Sequence, residues 1–137
     1  PKILTKDLKN INLWMCCEST TASSHYDSDH GLLVVLHGSK KVFLDPPTVS
    51  DQYRPWSVAG DSANHARVDY GIANANNSRS TIVVELQQND ALFIPEGWWH
   101  AVESSPQTIA INFWFAGVAT KLESNVYSGM SVCRRVL

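Results

Sequence analysis

The stretch "SSHYDSDHGLLVVLHGSKK", residues 23–41, decides how this chain folds. Its centre, "LLVVL", is a short aliphatic run between turn residues, which is typical of a buried β-strand. The "HGSK" that follows predicts a tight β-hairpin into the next strand. Before the run, His25 and Asp27 are two residues apart. Because such residues point to the same side of a strand, their side chains can bind one ion together.

Short runs of this kind recur along the chain, and no segment shows a helical period of convincing length. The pattern predicts an all-β fold, a sandwich or a barrel. Strands are predicted at 11–17, 24–28, 32–37, 40–45, 66–70, 80–86, 91–95, 98–104 and 108–115. Because "LLVVL" and "TIVVEL" are apolar on successive residues, we expect both faces of these strands to be covered.

The length of 137 residues and the hydrophobic content of 44% indicate one domain over residues 1–137, with its core at 11–116. Residues 117–137 are predicted to be a tail or a short terminal helix. The polar stretch "DPPTVSDQYRPWSVAGDSANHARVDYG" predicts a long surface insertion, and such loops often carry function. Because the sequence begins with Pro1, we expect it to lack upstream elements of a full-length protein.

Charge and cysteine content favour some partners and environments over others. The net charge is -2 and the basic residues are scattered, so there is no nucleic-acid signal. Three cysteines without C-x-x-C spacing favour a reducing compartment over a disulfide framework or a zinc knuckle. No apolar run is long enough to cross a membrane, and "PKILTKDLKN" lacks the apolar stretch of a signal peptide. We therefore expect a soluble cytoplasmic or nuclear protein.

A second candidate element is "NDALFIPEGWWHAVES", which places His100 on a returning strand. In a closed barrel a late strand can lie beside an early one, so His100 can join His25 and Asp27. Two imidazoles and one carboxylate are the ligands of non-haem Fe(II) oxygenases, whereas a structural zinc site needs four ligands. The residues alone leave open a hydrogen-bonded polar pair and a core histidine. The adjacent Trp98 and Trp99 point to opposite faces, one into the core and one under covering elements.

The motifs H-x-D, G-x-K-K, P-x-G-W-W-H and N-F-W follow one another between Leu13 and Phe115. In this order they resemble the JmjC-type, cupin-like Fe(II)- and 2-oxoglutarate-dependent oxygenases, in particular the asparaginyl- and lysyl-hydroxylase-like branch. The resemblance implies a double-stranded β-helix, a jelly-roll or cupin-like barrel. It also implies hydroxylation or N-demethylation of a protein or peptide side chain, with O₂ as cosubstrate and release of succinate and CO₂. It does not predict the oligomeric state.

The resemblance also assigns the metal ligands and the cosubstrate residues. His25, Asp27 and His100 match the Fe(II) ligands, and no further catalytic side chain is implied. Lys40, fifteen residues after His25, matches the lysine that pairs with the distal carboxylate of 2-oxoglutarate, and Lys41 is then expected to point away. Asn112 matches a position beside the cosubstrate.

Two positions depart from the pattern of the family. Ala22 stands where many relatives have Thr or Ser, whose hydroxyl helps to hold 2-oxoglutarate. We therefore expect the neighbouring Thr21 to supply the hydroxyl that contacts the cosubstrate. Gly31 stands where relatives tend to have Asn. His65, in the insertion, is a candidate substrate contact because loops at a barrel mouth set specificity. The departures keep a second function open, a non-catalytic, metal-binding, cupin-like interaction module. Isomerases and cysteine-type dioxygenases of the cupin type are less favoured because they usually carry H-x-H.

Overall fold

A computed structural model describes residues 7–57, 62–75 and 81–118, and the structural statements below concern these residues. The chain forms eight strands and three short helices. The strands are β1 (Leu8–Cys16), β2 (Thr20–His25), β3 (His30–His37), β4 (Lys40–Asp45), β5 (Ile82–Leu86), β6 (Ala91–Ile94), β7 (Trp99–Ser104) and β8 (Thr108–Phe115). Between β4 and β5 lie a 3₁₀ turn (Pro47–Val49) and the helices α1 (Ser50–Tyr53) and α2 (Tyr70–Asn74).

The strands form two four-stranded antiparallel sheets. Sheet I has the order β1-β8-β3-β6, and sheet II has the order β2-β7-β4-β5. Successive strands alternate between the two sheets. The exception is β4–β5, where both strands lie in sheet II and the insertion connects them. Two facing sheets with this winding are a jelly-roll, and the arrangement confirms the predicted double-stranded β-helix.

The core lies between the two sheets. Because side chains alternate along a strand, Leu33 and Val35 of β3 point inward while their neighbours are more exposed. They pack with buried side chains from both sheets, namely Val42, Leu44, Leu86, Ile94 and Ala110. Trp98 is partly buried against this cluster. Burial of this apolar surface is the main driving force that holds the sheets together.

The "HGSK" turn is tight, but the prediction of a hairpin is wrong. β3 lies in sheet I and β4 in sheet II, so the turn carries the chain from one sheet to the other. Both edges of each strand are already paired, β3 with β6 and β8, and β4 with β5 and β7. Gly38 has a φ of 77°, and a Cβ there would lie 2.9 Å from the Cα of Thr108. The turn therefore depends on glycine.

Other strand predictions need correction as well. β2 spans Thr20–His25 rather than 24–28. The segment 66–70 is not a strand, because the amides of Arg67 and Val68 both donate to the carbonyl of Tyr53 and the chain then enters α2. The expectation that "TIVVEL" is covered on both faces is wrong, since Ile82 and Val83 are 50% and 38% exposed on the terminal strand of sheet II.

Two further observations concern the rest of the chain. The prediction of a tail or terminal helix for residues 117–137 falls almost wholly outside the described residues. Within the described ranges, no helix has the length and apolar character needed to span a membrane.

Candidate metal centre and its cavity

The structure brings His25, Asp27 and His100 together at one end of the barrel. β2 pairs with β7 so that His25 lies opposite His100, and Asp27 follows two residues after His25. One donor atom from each residue lies within 4.8 Å of the other two. Nε2 of His100 is 3.2 Å from Oδ2 of Asp27, and the two imidazole centroids are 4.3 Å apart. Such a cluster has the size of a metal-binding site.

Backbone carbonyls fix which nitrogen each imidazole turns toward the cluster. Nδ1 of His25 is 2.8 Å from the carbonyl oxygen of Ser23, and Nδ1 of His100 is 3.0 Å from that of Trp98. A carbonyl oxygen can only accept, so each Nδ1 carries the hydrogen and donates it. In the neutral rings, Nε2 then carries the lone pair, as in most metal-binding histidines.

The electrostatics of the cluster call for a cation. Oδ2 of Asp27 is buried and has no hydrogen-bond partner among the described residues, although Nε2 of His100 is close. With the tautomer that Trp98 imposes, two acceptors face each other, which is costly in a buried place. Burial, and next the neighbouring His100, lower the pKa of His25 and favour its neutral, metal-binding form. The donor set therefore fits a divalent metal ion.

A backbone contact holds the loop that carries Asp27. The amide of Gly97 donates to the carbonyl oxygen of Asp27 at 2.8 Å, and Gly97 has a positive φ of 74°. The "PEGWWH" turn thus places His100 on β7 and also anchors the carboxylate that faces it. This explains why a turn with glycine precedes the second histidine.

A cavity of about 380 Å³ lies between the two sheets and extends from the His–Asp–His cluster. Sheet II contributes His25, His100, Lys40, Ser104, Val102 and Thr20–Ala22 to its wall, and sheet I contributes Trp14, Met15, Cys16, Leu33, Ile94, Thr108, Asn112 and Trp114. Its size is in the range of pockets that bind small molecules. The charged lining groups all lie on sheet II.

Lys40 lies in this cavity with its ammonium group half-buried. Nζ donates to Oγ of Ser104 at 2.7 Å, and burial lowers the pKa of the lysine. Over residues 7–57, 62–75 and 81–118, no carboxylate lies within ion-pairing distance of this ammonium group. Lys41 is turned away, with Nζ 5.5 Å from the ring centroid of Phe43. A half-buried ammonium group with no carboxylate nearby is suited to binding an anion.

Asn112 and Gly31 form part of the opposite wall. Asn112 is only 7% exposed, and its Oδ1 is buried with no partner in the described part of the chain. A Cβ on Gly31 would lie 3.3 Å from that oxygen, so glycine leaves room beside the amide. The cavity thus contains a buried acceptor that a ligand can satisfy.

Sequence reasoning missed several residues of the wall. Thr20 lies in the same cross-strand row as Ser104 and Lys40, whereas Thr21 pairs with Glu103 in the adjacent row, although both threonines line the cavity. The two-residue period from Ala22 back to Thr20 was the available signal. Trp14 of β1 is 51% exposed and also lines the cavity.

The insertion covers the outer side of the His–Asp–His cluster. Tyr53 of α1 stacks on Trp99 at 4.5 Å between ring centroids, and its hydroxyl donates to the buried carboxylate of Asp45 at 2.7 Å. Trp99 therefore lies under a covering element, as expected. Further along the insertion, the ring of His65 stacks on His25 at 5.3 Å. The role of His65 as a substrate contact stays a prediction.

Two facing antiparallel sheets around a His–Asp–His cluster define the class, a cupin-like domain. The chain belongs to the cupin-like domain family, whose model matches residues 1–121. Within it, the chain is a cupin-like JmjC domain, because its relatives are JmjC lysine demethylases and other JmjC proteins. Iron and 2-oxoglutarate are typical of this family.

Three relatives illustrate the likeness. A lysine-specific demethylase of Arabidopsis thaliana, JMJ31, is 39% identical over 91% of this chain and 23% of its own length. Jumonji C domain-containing protein 5 of Drosophila melanogaster is 31% identical over 77% of this chain and 27% of its own length. A second lysine-specific demethylase of Arabidopsis thaliana, JMJ30, is 26% identical over 86% of this chain and 28% of its own length. The chain spans about a quarter of the length of these curated relatives.

Solved structures show the same fold at low identity. Hydroquinone 1,2-dioxygenase from Sphingomonas sp. TTNP3 superposes with a TM-score of 0.53 at 16% identity, covering 80% of this chain and 63% of that chain. The QdtA 3,4-ketoisomerase from Thermoanaerobacterium thermosaccharolyticum gives 0.50 at 15% identity, covering 80% and 59%. At these identities the likeness concerns the fold alone, since one fold hosts many chemistries.

Proposed function

We propose that this protein is an Fe(II)- and 2-oxoglutarate-dependent oxygenase that hydroxylates or N-demethylates a protein side chain. One observation carries the proposal: a single cavity joins a His–Asp–His donor set to a half-buried lysine, and among the described residues neither the Asp27 carboxylate oxygen nor the lysine has a partner of opposite charge apart from His100. The first feature suits a metal ion, and the second suits the distal carboxylate of a small dicarboxylic acid. The JmjC relatives support an oxygenase of this general type.

His25, Asp27 and His100 would hold Fe(II) through Nε2, Oδ2 and Nε2. The bound iron would supply an oxidation by O₂, in which one oxygen atom goes to succinate as 2-oxoglutarate loses CO₂ and the other is inserted into a C–H bond of the substrate. The protein itself binds and orients, and no side chain has to move a proton.

Lys40 and Ser104 would bind the distal carboxylate of 2-oxoglutarate in a charge-assisted contact. Thr20 and Thr21 both line the cavity, and Thr20 would replace the hydroxyl that Ala22 lacks. Asn112 would face the cosubstrate from sheet I. The apolar lining from Leu33, Ile94 and Val102 excludes water and strengthens these polar contacts.

The names of the relatives suggest the kind of substrate. Two are lysine-specific demethylases, so a protein or peptide side chain is the substrate class that we propose, with action in the cytoplasm or the nucleus. Hydroxylation and N-demethylation begin with the same C–H oxidation, because a hydroxylated N-methyl group breaks down to formaldehyde and the amine. The site is compatible with both outcomes.

The second candidate is a metal-binding interaction module without turnover. Ala22 favours it, since this cavity residue carries no hydroxyl at a position where many relatives use one for the cosubstrate. Such a module would bind the metal ion but would neither bind 2-oxoglutarate tightly nor form succinate.

The test is an anaerobic titration of the protein with Fe(II) and 2-oxoglutarate, followed by succinate measurement after O₂ is admitted. The oxygenase should develop the visible charge-transfer band of the chelate. Lys40→Ala should need at least about tenfold more 2-oxoglutarate, since a buried charge-assisted contact contributes about 1.5–3 kcal/mol. Lys41→Ala is the matched control, because that side chain points away from the cavity. Metal binding without the band or succinate would favour the interaction module.

A further inference from the structure

The insertion forms an isolated β-bridge beside the His–Asp–His cluster. β2 is the terminal strand of sheet II, so one of its edges pairs with no other strand of that sheet. Residues 62–66 of the insertion, here called the strap, lie along that edge, and His65 forms an antiparallel bridge with His25. The carbonyl of His65 accepts from the amide of Trp56 at 3.2 Å, which ties the strap to the remainder of the insertion.

The contacts of the strap concentrate on the two neighbours of His25. The amide of Ala66 donates to the carbonyl of Ser24 at 2.9 Å, and the amide of Tyr26 donates to the carbonyl of Asn64 at 3.0 Å. The amide of Ser24 also donates to the carboxylate of Asp69 at 2.7 Å, just beyond the strap. The backbone on both sides of His25 is therefore held by the insertion.

The ring of His65 is itself held in one orientation. Nδ2 of Asn64 donates to the carbonyl of Tyr26 at 2.9 Å, which turns Oδ1 of the same amide toward His65. Nδ1 of His65 lies 3.1 Å from that oxygen and donates to it, because an amide oxygen only accepts. The plane of the His65 ring is thus set before any ligand binds.

This fixed ring packs on the imidazole of His25. The two rings are nearly parallel, with 18° between their planes and 5.3 Å between their centroids. His100 flanks the His25 ring as well, at 4.3 Å and 55°, and Nδ1 of His25 is engaged by the carbonyl of Ser23. His65 does not belong to the donor cluster, which within the described residues consists of His25, Asp27 and His100.

We propose that His65 is a positioning residue, which holds the His25 imidazole so that Nε2 faces Asp27 and His100. The inference rests on the metal centre of the proposed function, but it concerns residues that touch neither the ion nor 2-oxoglutarate. The packing of two aromatic rings typically changes an equilibrium constant about 2- to 10-fold. Here the packing ring comes from the insertion, so the insertion would contribute to the affinity of the barrel for metal.

The experiment measures the binding of Co(II) to the metal-free protein, with visible absorption of the bound ion as the signal. His65→Ala should weaken Co(II) binding about three- to tenfold and alter the absorption envelope, since the His25 ring loses its stacking partner. His65→Phe keeps a flat ring at the same place and should bind Co(II) within about twofold of the wild type, because the ring packing is retained. His37→Ala, an exposed histidine on β3, is the control for weak binding by surface imidazoles.

The outcomes separate this inference from the proposed function. If His65→Ala, with unchanged circular dichroism, binds Co(II) as tightly as the wild type, the positioning role is wrong while the metal centre stands. If His65→Phe is as weak as His65→Ala, ring stacking is not the link, and the inference is also wrong. If the wild type fails to bind Co(II), there is no centre to position, and both proposals fall.

Discussion

Asp27→Asn should stabilise the metal-free protein and abolish its stabilisation by metal ions. In the metal-free protein, Oδ2 of Asp27 is buried, without a partner in the described residues, and 3.2 Å from the lone pair on Nε2 of His100. Asparagine has nearly the same shape, but it can turn an N–H donor toward that nitrogen. The change replaces two facing acceptors by a hydrogen bond and removes a partly buried charge.

The magnitude follows from the cost of a buried polar atom without a partner, which is about 1–3 kcal/mol. For a chain of this length, 1 kcal/mol corresponds to a change in Tm of about 4 °C, so Asp27→Asn should raise Tm by about 4–12 °C. A metal ion at a hundred times its Kd should stabilise the wild type by about 2.7 kcal/mol, or about 10 °C. The variant should lose most of that gain.

The assay is thermal unfolding followed by circular dichroism, with EDTA-treated protein and with Co(II) added. Asp51→Asn, which changes an exposed carboxylate in α1, is the control and should shift stability by less than about 0.5 kcal/mol. A lower Tm of metal-free Asp27→Asn would refute the idea that the carboxylate is an unsatisfied acceptor. An unchanged Co(II) shift in the variant would show that Asp27 is not a ligand.

Three predictions concern the scaffold. Trp99→Ala should lower the free energy of unfolding in urea by about 3–5 kcal/mol, because removing a side chain that is 1% exposed leaves a cavity under the insertion. A loss below about 1 kcal/mol would contradict this packing. Tyr53→Phe should lower the free energy of unfolding by about 1–3 kcal/mol, because the Asp45 carboxylate loses a hydrogen-bond donor. A double-mutant cycle should show a smaller loss in an Asp45→Asn background. Gly38→Ala should lower the free energy of unfolding by more than about 1 kcal/mol, because φ is 77° at this position and the new Cβ would clash with Thr108. An unchanged unfolding midpoint would contradict this turn geometry.

The sequence predicted that His25, Asp27 and His100 lie together because much of the information is local. The H-x-D spacing places His25 and Asp27 on one side of a strand end, and the "PEGWWH" turn places a histidine at the start of another strand. The meeting of His100 with the other two depends on the pairing of β2 with β7, for which the family resemblance supplied the expectation. Periodicity alone does not contain that pairing.

What the sequence could not predict depends on partners distant along the chain. "HGSK" indicates a tight turn, but whether β3 and β4 pair with each other is decided by the edges that β5–β8 occupy. The strap has no strand-like pattern of its own, since its pairing follows from the free edge of β2. Exposure of Ile82 and Val83 likewise reflects the terminal position of β5, which β-propensity does not reveal.

The unequal division of the cavity wall has a consequence for engineering and for evolutionary drift. Among the described residues, every charged side chain and every histidine of the His–Asp–His cluster that lines the cavity projects from sheet II, while sheet I supplies apolar side chains, a thiol, a hydroxyl and one amide. Reshaping the wall at Leu33 or Trp114 would therefore change the space offered to a guest molecule without moving that cluster or the proposed cosubstrate contacts. The barrel thus separates the half that carries the proposed chemistry from apolar positions that can be diversified, so libraries aimed at new substrates belong at the apolar positions of sheet I.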